Sequence, residues 1–346
     1  MKIKVGIIGA TGFVGSELIR LLLNHNNVEI SAISSKSFLD EEIANIYKNF
    51  INISDLILED EDSVIEKSDV IFTAVPHGLS EIIASKILSK NKILIDLGAD
   101  FRLSDEDDYL KFYNKKYLNK DIHKEAIYCI PELHRRKINK QSIIGNPGCY
   151  PTSISLGLAP ALYNDIVKKD SIIIDAKSGV TGAGRGANDG THYISCNENF
   201  KPYGVGGVHR HIPEIEEVIN SISKVKHKIS FTPHLIPINR GILSTIYFDL
   251  DKDITVSDLH KLYVDFYKEE KFVVVVDLDT TAEIKNIKSS NYCHISIHKD
   301  ERCNRAIIIS TIDNMIKGAA GQAIQNMNIR MGFNESEGLN LIPSNF

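Results

Sequence analysis

The sequence predicts an α/β domain followed by an α+β domain, and three observations carry that prediction. A short apolar run over residues 3–8 leads directly into a turn with glycines at positions 9, 12 and 15. From there to about residue 148, strand-like apolar runs alternate with helical patterns, the sequence form of a parallel sheet. From Ile229 onward the strand-like runs follow one another around a single helical pattern near 256–267, which suits a mostly antiparallel sheet. With 346 residues the chain exceeds what one core usually organises. The expected domains are therefore 1–148, completed by a C-terminal helical segment 313–346, and 149–312.

In the first domain, Gly9-Ala10-Thr11-Gly12-Phe13-Val14-Gly15 sits between a strand and an amphipathic helix. The first glycine permits a tight turn, the second admits a pyrophosphate to the backbone, and the third lets helix pack on strand. The spacing is G-x-x-G-x-x-G rather than G-x-G-x-x-G, so placement carries more of this reading than pattern does. Gly9, Thr11, Gly12, Phe13, Val14 and Gly15 are the candidate cofactor contacts of a Rossmann domain. The second strand, 28–33, ends in Ser34-Ser35-Lys36, where an NAD site usually has an acid for the ribose hydroxyls. Two hydroxyls and a cation suit a 2′-phosphate instead, so the expected cofactor is NADP. Residues 38–66 are polar, and 59–62 read as a solvated acidic connection. Strands at 69–75 and 92–97 then end in Pro76-His77-Gly78 and in Gly98-Ala99-Asp100-Phe101-Arg102. Parallel strands bind ligands beyond their carboxyl ends, which makes Pro76 and His77 further cofactor candidates. Arg102 could hold a carboxylate or phosphate with its planar fork, or pair with Asp100 or Asp105. The aromatic and lysine residues of 109–117 read as surface.

Pro147-Gly148-Cys149-Tyr150-Pro151 places a cysteine at a turn that enters a helix over 154–162. Helix N-termini stabilise thiolates, the nucleophilic form of cysteine; the bland alternative is a small buried residue beside a turn. Downstream, the glycine- and hydroxyl-rich stretch 177–186 can wrap an anion with backbone N–H groups. Ser178, Gly179 and Arg185 are its candidate substrate contacts and Gly182 a candidate cofactor contact. His209-Arg210-His211 with Glu214 has the form of a general acid/base with an orienting group, Glu214 being a further candidate substrate contact. Two histidines separated by an arginine, without a third nearby ligand, argue against a metal. The last helical pattern, 313–331, carries Asn314 as a cofactor candidate.

A net charge of −5 gives no basic field for nucleic acid. Five cysteines without a C-x-x-C pair argue against a disulfide framework. The first apolar run is too short for a signal peptide and no later run has the length of a membrane span, so a cytoplasmic protein is expected.

Taken together, the 9–15 turn, Gly98 to Leu103, Gly148 to Thr152, Ser178-Gly179 with Gly182 to Arg185, Gly207 to His211 with Pro213-Glu214, Pro237 with Asn239-Arg240-Gly241, and the helix beginning Asp313-Asn314 resemble the N-acetyl-gamma-glutamyl-phosphate reductases. These motifs span nearly the whole chain. The resemblance implies a Rossmann domain, a second domain like that of glyceraldehyde-3-phosphate dehydrogenase, NADP as cofactor, and a homo-oligomer, dimer or tetramer. It places Cys149 on the family's catalytic cysteine, His209 on its acid/base with His211 as the alternative, and Arg102 on its phosphate-holding arginine. The implied reaction is NADPH-dependent reduction of an acyl phosphate to a semialdehyde in arginine biosynthesis. A reductase of aspartyl phosphate or of a carrier-linked aminoadipyl phosphate, and a non-catalytic NADP-sensing regulator, are the competing readings.

Overall fold

The computed structural model describes residues 2–138, 140–186 and 188–344. The chain divides into two units, Met1–Pro147 with Ala319–Asn340, and Gly148–Gly318 with Leu341–Phe346. The C-terminal segment grouped with the first unit is thus shorter than the 313–346 expected. A π-helical turn, Ile316–Ala320, precedes the last α-helix, Gly321–Met331. The Asp313 carboxylate accepts from Met315 N–H at 2.8 Å and Ile316 N–H at 3.2 Å, which fixes the start of that turn within the second unit.

The first unit is built on seven parallel strands: β1 (Ile3–Ile8), β2 (Val28–Ser34), β3 (Leu58–Glu59), β4 (Val70–Thr73), β5 (Ile93–Asp96), β6 (Ala126–Tyr128) and β7 (Ile143–Gly145). Their order is β3-β2-β1-β4-β5-β7-β6, a doubly wound sheet whose direction of growth reverses between β1 and β4. Val5, Ile7, Ile33, Ile71, Phe72, Leu94 and Ile95 are buried along it, as a sheet covered on both faces requires. The 38–66 stretch is more ordered than its composition suggests. Glu59 ends β3, and Asp60 caps the helix Glu61–Lys67 by accepting from Ser63 N–H at 2.7 Å. The aromatic run also departs from expectation. Tyr109 and Tyr113 are buried one helical turn apart on Glu106–Tyr113, because the Tyr109 hydroxyl donates to Asp100 at 2.9 Å while its ring fills the core.

The second unit holds β8 (Ile172–Ser178), β9 (Lys201–Pro202), β10 (Ile229–Leu235), β11 (Ile242–Asp249), β12 (Val273–Val275), β13 (Cys293–Asp300) and β14 (Arg305–Ile312), in the order β12-β13-β14-β11-β8-β10-β9. Antiparallel pairs prevail, with parallel exceptions at β8·β10 and β12·β13. The helix Cys149–Tyr163 is its central element, and Tyr150 through Leu162 are all buried. Pro160 lies inside this helix and has no N–H for the carbonyl of Leu156. The Tyr267 hydroxyl, from the helix Val256–Tyr267, donates to that carbonyl at 2.5 Å, and the Tyr263 hydroxyl donates to the Gly157 carbonyl at 2.8 Å. A helix that would otherwise lose a bond is thereby satisfied by its neighbour.

Candidate active site

Each unit carries one part of the candidate chemistry. In the first, the turn after β1 lies beside the carboxyl end of β4. Gly9 has φ +90°, and a Cβ there would stand 2.4 Å from the Ala74 carbonyl oxygen; a Cβ on Gly15 would stand 2.3 Å from the Gly9 carbonyl oxygen. Neither position admits a side chain. Over Gly12 the space is different, since a Cβ would meet only Gly9 O at 3.4 Å. Gly12 is also the N-cap of the helix Phe13–Leu22, which has no side-chain cap. Its first N–H groups and the open space over Gly12 fit a dinucleotide's pyrophosphate.

The other expected cofactor residues fall into two groups. Ser34 and Ser35 are buried at the end of β2 and Lys36 is exposed just beyond. The Ser35 hydroxyl shares a 2.7 Å hydrogen bond with that of Thr11, tying the strand end to the glycine turn. Pro76 is exposed, and His77 is half-buried with its ring edge-on to Tyr113 at 5.5 Å. Arg102 is turned to the backbone: Nε donates to the Asn146 carbonyl at 3.0 Å and a terminal nitrogen donates to that of Leu97 at 2.9 Å. Asp100 holds the neighbouring loop, accepting from Gly78 N–H at 2.5 Å and Glu81 N–H at 3.3 Å.

In the second unit, Cys149 is the first residue of its helix rather than the end of a preceding loop, with Gly148 as N-cap. It borders a cleft of about 490 Å³ together with Tyr150, Ser178, Gly179, Gly182, Lys201, Tyr203, His209, Arg210 and His211. Sequence reasoning brought most of these together; Lys201 and Tyr203 it did not name, and Arg210 it named only as the residue between the two histidines. The buried carboxylate of Glu214 accepts from the Gly148 N–H at 2.8 Å. Expected as a substrate contact, Glu214 instead ties the start of the Cys149 helix to the first turn of the helix Ile212–Ile222. Gly318 packs against the nucleophile's base, where a Cβ would come 2.7 Å from that of Cys149. Arg185 is exposed and outside the cleft lining. Asn314 is buried, its amide accepting from Gly241 N–H at 2.7 Å and donating to the Thr181 hydroxyl at 3.0 Å, so it pins the 180–183 turn.

His209 and His211 stand edge to face, ring centroids 5.0 Å apart, and both pack on Tyr150. The His211 N–H donates to His209 Nδ1 at 3.1 Å. A neutral His209 ring therefore carries its proton on Nε2, which makes it a donor toward the cleft. Burial, and then the charge of Arg210, push its pKa down to about 4 rather than leaving it near neutrality. Tyr203 donates to the Tyr150 hydroxyl at 3.0 Å, and burial pushes Tyr203 up to about 12, so both phenols stay neutral donors and acceptors. The Gly148 N–H is engaged by Glu214 and Pro151 has no N–H, so neither is a donor beside the sulfur.

Comparison with known proteins adds to this geometry. Residues 4–141 match the family model described as semialdehyde dehydrogenase, NAD binding domain, and residues 149–314 match semialdehyde dehydrogenase, dimerisation domain. The N-acetyl-gamma-glutamyl-phosphate reductase of Clostridium beijerinckii is 58% identical over 99% of this chain and 100% of its own length. The protein of the same name from Brachyspira hyodysenteriae is 53% identical over the same shares of each chain. Among solved structures, aspartate semialdehyde dehydrogenase II of Vibrio cholerae superposes with a TM-score of 0.74 at 15% identity, covering 95% of this chain and 98% of that one. The NADP-bound aspartate semialdehyde dehydrogenase of Candida albicans gives 0.70 at 16%, with the same coverage. At such identities these structures speak for the fold alone. No helix among the described residues is long and apolar enough to cross a membrane.

Proposed function

The chain belongs to the N-acetyl-gamma-glutamyl-phosphate reductase family, and from that premise we propose that it reduces N-acetyl-L-glutamyl 5-phosphate to N-acetyl-L-glutamate 5-semialdehyde and phosphate with NADPH. The observation that carries the chemistry is Cys149 at the N-terminus of a buried helix, in a cleft it shares with His209 and His211. The helix end favours the thiolate. The thiolate attacks the acyl carbon, the bond from that carbon to the phosphate oxygen breaks, and a thioester replaces the acyl phosphate. The bound nicotinamide supplies the hydride. As the thioester carbonyl becomes an oxyanion, backbone N–H groups at the start of the Cys149 helix and the His209 Nε2–H are the proposed donors to it. Collapse of that oxyanion breaks the carbon–sulfur bond, releases the aldehyde and returns the thiolate.

The choice of NADPH over NADH rests on the end of β2, where Ser34, Ser35 and Lys36 stand in place of a carboxylate that would repel a 2′-phosphate. Assembly as a homo-oligomer is supported by the match of 149–314 to a dimerisation domain. Arg102 contributes by holding the Asn146 carbonyl on the strand exit that leads to Cys149. The direct test runs the reaction backwards, with NADP or NAD, phosphate, and either N-acetylglutamate semialdehyde or aspartate semialdehyde. Phosphate-dependent nicotinamide reduction with the acetylated substrate and NADP is expected. Reduction with aspartate semialdehyde alone would replace the substrate, and silence with both would leave only the dinucleotide-binding part of the reading.

A further inference from the structure

The cysteine cleft carries fixed positive charge that no acid in its lining offsets. Lys201 and Arg210 both line it, and among the described residues no aspartate or glutamate does. Arg210 has no hydrogen-bond or ion-pair partner among the described residues, whereas Arg20, Arg135, Arg302 and Arg305 are each paired with a carboxylate. Lys201 is half-buried on β9, its ammonium donating to the Gly190 carbonyl at 2.9 Å, which fixes the chain and leaves further N–H groups for a ligand. Arg210 is held from both sides in sequence by buried histidines, so its backbone is anchored while its side chain is open to the cleft. A planar fork and a point charge bordering one cavity are what a carboxylate or a phosphate binds to.

We propose that Arg210 and Lys201 form an oxyanion seat in the Cys149 cleft and are specificity-determining residues for an anionic group of the substrate. This rests on the cleft being the acyl-phosphate site described above. The acyl phosphate and the carboxylate of the substrate share the required chemistry, and the reverse reaction separates them, because phosphate and the carboxylate-bearing semialdehyde then enter as different reactants.

The experiment measures reverse kinetics for Arg210→Leu, Arg210→Lys and Lys201→Met, after thermal melts show each variant folded. Arg210→Leu is expected to raise the KM of one reactant by roughly 10- to 100-fold, the scale of a lost charge-assisted bond, with a smaller loss in kcat. Arg210→Lys should recover part of the loss, and Lys201→Met should act on the same reactant. A rise confined to phosphate assigns the seat to the phosphoryl group; a rise confined to the semialdehyde assigns it to the carboxylate. KM values within twofold of wild type for both reactants, or a loss in kcat alone, overturn the seat. If wild type is silent with these substrates, the functional reading fails separately, and the seat is read from protection of Cys149 against iodoacetamide by inorganic phosphate or N-acetylglutamate. Protection in wild type that disappears in Arg210→Leu supports it, and absent or unchanged protection overturns it.

Discussion

The glycine turn of the first unit and the cysteine cleft of the second are both proposed anion sites, but they are made of different materials. The turn is backbone: seven consecutive residues, 9–15, in which two glycines have no room for a Cβ and the third keeps open space over a helix N-terminus. The cleft is side chains, drawn from five separate stretches at 149–150, 178–183, 188–191, 201–211 and Leu235. One site is defined by shape and the other by chemistry. Small isosteric changes should therefore leave the turn's function intact and destroy the cleft's, while added volume should do the reverse.

Cys149→Ser breaks the comparison hardest, because it changes one atom and almost no volume. Turnover should fall on the order of 10⁴-fold or more, while NADPH affinity by fluorescence titration stays at the wild-type value. Substantial turnover in that variant would end the thioester mechanism. His209→Asn comes next, removing the Nε2–H donor and the acceptor of the His211 N–H together. A loss of roughly 10²- to 10³-fold in kcat is expected for an oxyanion donor. Since burial and Arg210 hold His209 down at about 4, kcat/KM in wild type should show no limb from this ring between pH 5 and 8. A limb near 6.5 that vanishes in His209→Asn would make the ring a base rather than a donor.

Gly15→Ala tests the other half. The new Cβ must displace the Gly9 carbonyl, which is backbone and cannot swing away. NADPH affinity should drop roughly 10- to 100-fold, the usual scale of overpacking, with the rate of Cys149 alkylation unchanged. Alkylation that slows as well would show that the turn's shape supports more than the cofactor.

The same difference governs what could be read from the sequence. The turn was legible because its glycines, strand and helix are contiguous, and local backbone needs are written locally. Cys149 was legible as a candidate, yet its helix was expected to start at 154 and starts at 149, since Pro147-Gly148 terminates the loop sooner than the apolar pattern suggests. Glu214 was placed among the substrate contacts, and only the fold brings it against a glycine 66 residues away. The burial of Tyr109 was hidden because lysines and acids surround it in sequence, while its hydroxyl partner, Asp100, lies in a separate loop. Lys201 carries no local mark of function, and Arg210 stands out only as the residue between two histidines; that no acid shares their cleft among the described residues is a tertiary property.

Asp96 and His209 reduce the comparison to one buried proton in each unit, with opposite signs. Asp96 is fully buried at the end of β5, its Oδ1 accepting from Ser80 Oγ at 2.6 Å, Thr73 Oγ1 at 2.7 Å and Gly98 N–H at 2.9 Å. Burial, then the charge of Asp100, push its carboxyl up from 3.8 to about 6. Its folded form holds the proton more tightly than its unfolded form does. Its contribution to stability is therefore complete below pH 3.8 and is lost as the pH rises through about 6, a change on the order of 3 kcal/mol. For His209 the folded value is depressed, so stability is complete above pH 6.5 and is lost as the pH falls through about 4. Urea midpoints of wild type, Asp96→Asn and His209→Asn at pH 4.5 and 7.5 separate the two. Asp96→Asn should gain on wild type as the pH rises, because the amide oxygen keeps all three donors and sheds the buried charge. His209→Asn should lose ground over the same interval. A constant offset for Asp96→Asn at both pH values would mean that Asp96 is ionised throughout, with its three donors outweighing burial.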